Sequence, residues 1–155
     1  MSEIQDIFNN LLRFTDSLKI KSIDGVQKIW DPIRKKYLVK QEEELVRQLV
    51  IQYFIQEKNW PAKLIQVEKQ VKVGQINRRF DILLYSDAQQ AKILIECKAP
   101  HQKLSQLSFD QISDYNLTLK IPFLIVTNGI QSVLMKIDFE SKNYTYIQTI
   151  PEQKP

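Results

Sequence analysis

Apolar side chains recur along this chain with two different periods. Ile4, Ile7, Phe8, Leu11 and Leu12 fall at helical spacing, which predicts a short amphipathic helix over 3–13. LKIKSIDGVQKIWD (18–31) alternates around Asp24-Gly25, a hairpin turn signal, and Asp31-Pro32 ends that hairpin. Residues 41–57, QEEELVRQLVIQYFIQE, carry Val46, Leu49, Val50, Tyr53 and Phe54 as the core stripe of a second helix. Asn59-Trp60-Pro61 stops it, and LIQVEKQVKV (64–73) then alternates as a half-exposed strand up to Gly74. Phe80–Tyr85 and Lys92–Ile95, separated by the polar Ser86–Ala91, read as a hairpin in a sheet interior. Leu104, Leu107, Ile112 and Tyr115 space another helix over 102–119. FLIVT (123–127) reads as a buried strand, parallel to its neighbour after a helical crossover, and strands over Ser132–Phe139 and Tyr144–Ile150 complete the pattern. The final PEQKP is expected to fray.

This order predicts an α/β fold. A three-strand meander, a crossover helix and further strands form a mixed central sheet flanked by helices. A single domain is expected over 1–155, with an N-terminal helix and hairpin in 1–40 and the core in 41–150. Composition agrees: 43% hydrophobic and 26% charged residues are ordinary for a globular chain. No window reaches the ~18 apolar residues of a membrane span, so no membrane association is expected. The N-terminus lacks a secretory pattern, and one cysteine, Cys97, allows no internal disulfide, so a reducing, cytoplasmic setting is expected. A net charge of +4 is compatible with nucleic acid but weakly informative.

The chemistry lies in Arg78–Pro100, where Asp81, Glu96 and Lys98 interrupt two apolar strands. Unpaired charge is expensive to bury, so these groups are either solvated at a strand end or gathered for chemistry. Glu96 and Lys98 are two apart and project to one face, and an antiparallel partner strand would bring Asp81 beside them. Two carboxylates with the Cys97 carbonyl form a hard-oxygen site suited to Mg²⁺, while the Cys97 thiol points to the opposite face and into the core. A divalent ion there would polarise a phosphodiester and relieve the repulsion between the carboxylates, with Lys98 orienting or deprotonating water. The other outcome, a surface Glu/Lys pair beside a solvated Asp, stays open from spacing alone. On the preceding helix, about 100° per residue sets Glu42 and Glu43 on the flanks of the apolar stripe and Glu44 away from it, so Glu43 would look toward the sheet. The same three glutamates also simply suit the helix dipole. Arg34, Lys35, Lys36 and Tyr37 form either a solvated connection or a contact to phosphate backbone. Arg78 and Arg79 would contact a phosphate or form salt bridges, and His101, the single histidine, reads as an exposed loop residue.

The D-x14-E-x-K arrangement and the helix–meander–helix order resemble the PD-(D/E)XK nuclease superfamily. IWDPIRKKYL, EELVRQ, RRFDILLY, ILIECKAP, FDQISDYN and IVTNG, in that order from about Leu18 to Pro151, resemble the N-terminal nuclease domain of type I restriction enzyme R proteins, especially short stand-alone bacterial relatives. The resemblance implies a restriction-endonuclease-like core, Mg²⁺ (or Mn²⁺) as cofactor and DNA as substrate. It implies that Asp81 and Glu96 bind metal, that Lys98 is the catalytic lysine, and that Glu43, with Glu44 as the fallback, assists the metal. Gln111 and Tyr115 match a Q-x-x-x-Y motif, with Gln111 holding Lys98 or a metal-bound water and Tyr115 reaching DNA or supporting the strand. Arg79 is the expected phosphate contact. Phe80 stands where the superfamily name has Pro. The expected function is a Mg²⁺-dependent DNA endonuclease. Its expected partners are DNA and the helicase, methylase or specificity subunits of a restriction system, and a homodimer is compatible with this class. No G-x-x-x-x-G-K-[ST] loop is present, so the chain holds no ATP motor. A non-catalytic DNA- or protein-binding module on the same fold is the alternative.

Overall fold

In the computed structural model, residues 4–87 and 89–154 are described. Three short strands, β1 (Ile20–Ile23), β2 (Val26–Asp31) and β3 (Lys36–Val39), form an antiparallel sheet in the order β1-β2-β3. Helix α1 (Glu42–Gln56) leads from it into a six-stranded sheet. That sheet has the order β4 (Ile65–Val73), β5 (Ile76–Tyr85), β6 (Ala91–Cys97), β7 (Phe123–Thr127), β8 (Ser132–Asp138) and β9 (Asn143–Ile147). Every neighbouring pair is antiparallel except β6 and β7, which run parallel after the crossover through α2 (Gln106–Leu119). The expected mixed sheet, the parallel FLIVT strand and the expected stripe of α1 are all present.

The sheet separates two apolar layers. On one side Val46, Leu49, Val50, Tyr53 and Phe54 of α1 pack with Ile82, Leu84, Ile93, Ile95 and Cys97. On the other, Phe109 and Ile112 of α2 pack with Phe80, Leu83, Leu94, Leu124 and Val126. Leu107, expected in the α2 stripe, is 67% exposed, and Phe109 fills the core instead. α2 also starts later than its periodicity predicts, because residues 99–102 form a turn and Ser105 caps the helix through the Ser108 amide.

Three N- and C-terminal expectations are corrected. Residues 4–10 are not helical. The Asp6 carboxylate accepts the Phe8 and Asn10 amides, and Asn9 and Asn10 take left-handed backbone, so only a 3-10 helix over Leu11–Ser17 forms. Gln5 instead bridges to Ser132 beside β8. The Arg34–Tyr37 stretch is not a loose connection either. The buried Asp31 carboxylate accepts the Ile33 and Arg34 amides, turning the chain so that Lys36–Val39 returns as β3. At the C-terminus, Lys92 donates to the Glu152 carbonyl and the Gln153 side chain donates to the Ser86 carbonyl at 2.6 Å, so Glu152 and Gln153 of the segment expected to fray are tied down, and Pro155 lies outside the described residues.

One irregularity places the site. Ile65 and Val67 of β4 lie in or against the first core, yet Val71, of the same parity, lies against the second. On β5, Phe80 faces the second core while Ile82 and Leu84 face the first. Strand alternation therefore inverts at Glu68 and Asp81, the one step where the β4–β5 ladder skips a pair. Glu68 holds a φ of 53°, which reverses the sense of the strand locally.

Candidate active site

The β5–β6 ladder runs from the turn end as far as Ile82↔Ile95 and stops there. One further step of that register sets Asp81 opposite Glu96, where the strands part. The Cys97 amide turns to the Asp81 carboxylate and donates to Oδ2 at 2.7 Å. The Lys98 amide donates to the Thr127 carbonyl at 2.8 Å, which anchors the end of β6 to β7. Asp81, Glu96 and Lys98 thus meet where an apolar hairpin opens, because each neighbouring strand still holds its own half of the opening.

Asp81 is buried, 8% exposed. Its Oδ1 accepts Arg47 Nη2 at 2.8 Å. Arg47, itself 5% exposed, is the centre of a charge network that the sequence reading did not anticipate. It also reaches Glu44 at 2.8 Å, Glu68 at 2.5 Å and, more loosely, Glu43 at 3.9 Å. Although burial opposes its charge, Glu44 and Asp81 hold the Arg47 guanidinium firmly protonated. Glu44 further accepts Arg34 at 3.0 Å, and Arg34 pairs with Asp31 at 2.6 Å. A continuous chain of charged hydrogen bonds therefore runs Asp31–Arg34–Glu44–Arg47–Asp81 from the small sheet to the site. Glu44 does not point away from the core as helical phase predicts: it is 9% exposed, because Arg34, in the turn before β3, and Arg47 close over its carboxylate.

Glu96 is strained electrostatically. Burial first, then the proximity of Asp81, pushes its carboxyl up to about 8. Its Oε1 is buried and meets no hydrogen-bond partner. Four buried side-chain atoms among the described residues lack a partner, and three of them, Glu96 Oε1, Arg47 Nε and Gln48 Oε1, lie on this site or on the face of α1 above it. Glu43 stands at the rim, its side chain 46% exposed. Partial burial, followed by Asp81, raises its carboxyl, while Arg47 and Lys98 oppose the shift, so Glu43 shares the field of the site. Lys98 is half-buried and forms no ion pair among the described residues. The Cys97 thiol is 1% exposed in the first core and, through burial above all, held far from its thiolate.

The remaining candidates divide. Tyr115 is half-buried and its ring carries the Arg78 guanidinium, 4.3 Å from the centroid, so it supports β5 three residues from Asp81. Gln111 is exposed and its side chain makes no hydrogen bond among the described residues, so it is not brought to Lys98. Arg79 is 59% exposed on its side chain and lies 3.6 Å from Glu68. His101 is exposed and pairs with the equally exposed Glu42 at 2.9 Å, a rim contact. Arg34 is neither solvated nor free for phosphate, since it is committed to Asp31 and Glu44. Of the residues missed, Arg47 had a visible signal: Glu43 and Glu44 precede it by four and three positions, the spacing of helical ion pairs. Glu68 had none, since its strand alternates without a break. Among the described residues no three histidine, cysteine, aspartate or glutamate side chains are already drawn together as a chelate. A cleft of about 800 Å³ lies at the far, turn end of the hairpin, lined by Tyr85, Lys92 and Lys120 among others, and is separate from these groups.

A mixed sheet whose central hairpin opens on two carboxylates and a lysine defines a restriction-endonuclease-like fold. Residues 42–151 match the type I restriction enzyme R protein N terminus (HSDR_N), and the chain belongs to that family. The fold is similar to that of a solved fragment assigned to an HsdR subunit of a type I restriction enzyme from Vibrio vulnificus YJ016. The two share 17% identity with a TM-score of 0.52, over 73% of this chain and 24% of that one, so the match spans about a quarter of the solved fragment's length. Among curated proteins none matches the chain. No described helix is long and apolar enough to cross a membrane.

Proposed function

We propose that this chain is a Mg²⁺-dependent DNA endonuclease working in a restriction-system setting. The observation that carries the reading is Glu96 Oε1, buried without a partner beside Asp81 at the point where β5 and β6 separate. The residues fit a small divalent cation. Asp81 already accepts two hydrogen bonds, yet a carboxylate offers roughly four lone-pair directions. Asp81, Glu96 and the Cys97 carbonyl would hold the ion, with Glu43 assisting from the rim. When bound, magnesium would supply positive charge and Lewis acidity toward a phosphodiester. Lys98, unpaired and two residues beyond Glu96, would orient or deprotonate the attacking water and offset charge on the phosphorane. Arg47 would keep Asp81 fixed against α1. Gln111 would join the site only when DNA or water draws it in, and Arg79 would meet the phosphate backbone at the rim.

Incubation with supercoiled plasmid and Mg²⁺ or Mn²⁺ tests the reading. Nicking or cutting is expected from the native chain and not from Asp81→Ala or Lys98→Ala. Cleavage that survives both substitutions overturns it. A second reading has one observation in its favour: Arg47 already balances Asp81 and Glu68 without any metal. On that reading the chain is a non-catalytic binding module, and calorimetry would show no Mn²⁺ binding while DNA retention is unaffected by Asp81→Ala.

A further inference from the structure

The excess positive charge of this chain is concentrated in one small element outside the part that matches the family. Residues 18–40 carry seven basic side chains and two acidic ones, a net +5. The whole chain is +4, so everything else sums to −1. Arg34 and Asp31 cancel each other in a buried pair, which leaves the lysines to account for the surplus.

The register of the small sheet sorts these lysines by face. Lys21 pairs with Lys28, Lys28 pairs with Val39, and Trp30 pairs with Tyr37, while the Trp30 amide donates to the Lys19 carbonyl. Directly paired residues share a face, so Lys19, Lys21, Lys28, Trp30 and Tyr37 stand together. The opposite face carries Ile29 and Asp31, both fully buried, with Lys36 exposed on the edge strand beside Asp31. The lysine face thus points outward, and no strand residue on it is acidic. Like charges directly opposite each other, as in Lys21↔Lys28, destabilise a sheet, and a bare antiparallel sheet gains nothing from them. The aromatics organise the cluster: Lys21 Nζ sits 4.2 Å from the Tyr37 ring centroid, and the Trp30 and Tyr37 rings are 5.1 Å apart.

We propose that this face is a docking surface for the phosphate backbone of duplex DNA, separate from the site that would cut it. The inference rests on the nuclease reading for its choice of polyanion and deepens it by adding an anchor. Charge complementarity selects a polyanion. The charged chain Asp31–Arg34–Glu44–Arg47–Asp81 selects DNA over other acidic partners, because it fixes the lysine sheet rigidly to the candidate active site. A duplex lying on Lys19, Lys21 and Lys28 would be held in a set orientation to Asp81 and Glu96.

Fluorescence anisotropy of a labelled 20–30 base-pair duplex across a salt series, without divalent metal, tests this. Lys19→Gln, Lys21→Gln and Lys28→Gln are combined in one variant. Lys63→Gln, Lys136→Gln and Lys154→Gln are combined in a second, which loses the same charge from exposed positions elsewhere. Circular dichroism melting confirms that both fold. The first variant is expected to bind at least tenfold more weakly, with a slope of log K against log salt shallower by about 2–3, and the second to stay within about twofold of native. Equal losses in the two variants, or no loss in the first, overturn the proposal. Asp81→Asn separates the two ideas: it should abolish cutting and leave this binding intact. A native chain that binds heparin or an acidic peptide but not duplex DNA overturns DNA as the occupant.

Discussion

Helix α1 buries Glu44, Arg47 and Gln48, whereas α2 buries only Ser113 and Asn116 among its polar residues. The difference is one of range. Asn116 accepts the Ile121 amide at 2.9 Å and donates to the Ile121 carbonyl, closing the end of its own helix around a left-handed Lys120. Arg47 reaches β4 and β5, and Glu44 reaches the turn before β3. Polar groups satisfied within a few residues finish a helix. Polar groups satisfied across the fold decide how separate elements are set against one another, and here they set α1 and the small sheet against the opening of the hairpin. On α2 the ties that cross the fold are exposed ones, Gln106 and Asp110 with Tyr144 and Tyr146 of β9, and the Gln111 side chain has none among the described residues.

The contrast is broken most severely at Arg47. Arg47→Ala would leave Asp81, Glu44 and Glu68 crowded and uncompensated, and should cost about 3–5 kcal/mol in urea unfolding. A cost under about 1 kcal/mol would mean that the network does not hold α1 to the sheet. Phe109→Ala should remove a similar ~3–5 kcal/mol from the α2 layer, while Leu107→Ala, two residues away on the exposed side, should change stability by less than about 0.5 kcal/mol. The pair tests how far apolar packing holds α2 to the sheet.

Glu96 gives a pH signature. Its carboxyl lies above the ordinary 4.5, at about 8, so the folded state keeps a proton that the unfolded chain releases. In metal-free protein, stability is therefore full below about pH 4.5 and declines toward about pH 8, by at most about 1.4 kcal/mol per unit. Glu96→Gln should flatten that decline in a series of melts, and an unchanged slope would remove Glu96 as its source. Gln111→Ala should be the mildest change, within about 0.5 kcal/mol in stability. A plasmid-nicking rate equally unaffected would exclude Gln111 from the reaction.

Much of this fold was legible because its apolar periods are strong. The stripe of α1, the β5–β6 hairpin and the parallel FLIVT strand all follow from spacing. What spacing could not carry was tertiary. Helical phase set Glu44 away from the apolar stripe because phase knows only one buried face, and the turn before β3, through Arg34, covers another. The even alternation of LIQVEKQVKV hid the inversion at Glu68, since a left-handed residue changes facing without changing sequence pattern. The apolar spacing over 3–13 reads as helix, but Asp6 captures the Phe8 and Asn10 amides, and helical backbone begins only at Leu11. In the site, Asp81, Glu96 and Lys98 were readable as charges out of place in an apolar hairpin. Arg47 carries only the helical spacing from Glu43 and Glu44, which an ordinary surface ion pair shares.

Ser132 receives the N-terminal segment with both its main chain and its hydroxyl. Its amide and carbonyl pair with Gln5, its hydroxyl donates to the Gln5 carbonyl at 3.0 Å, and its oxygen accepts the Ile7 amide at 3.0 Å. These partners lie 127 and 125 residues apart in the chain. Closing so long a loop is entropically unfavourable before the sheet exists, so this clasp should form late in folding and open early in unfolding. Hydrogen exchange at the Gln5 and Ile7 amides would then run ahead of exchange in β6, and it would report the last step of assembly rather than global stability.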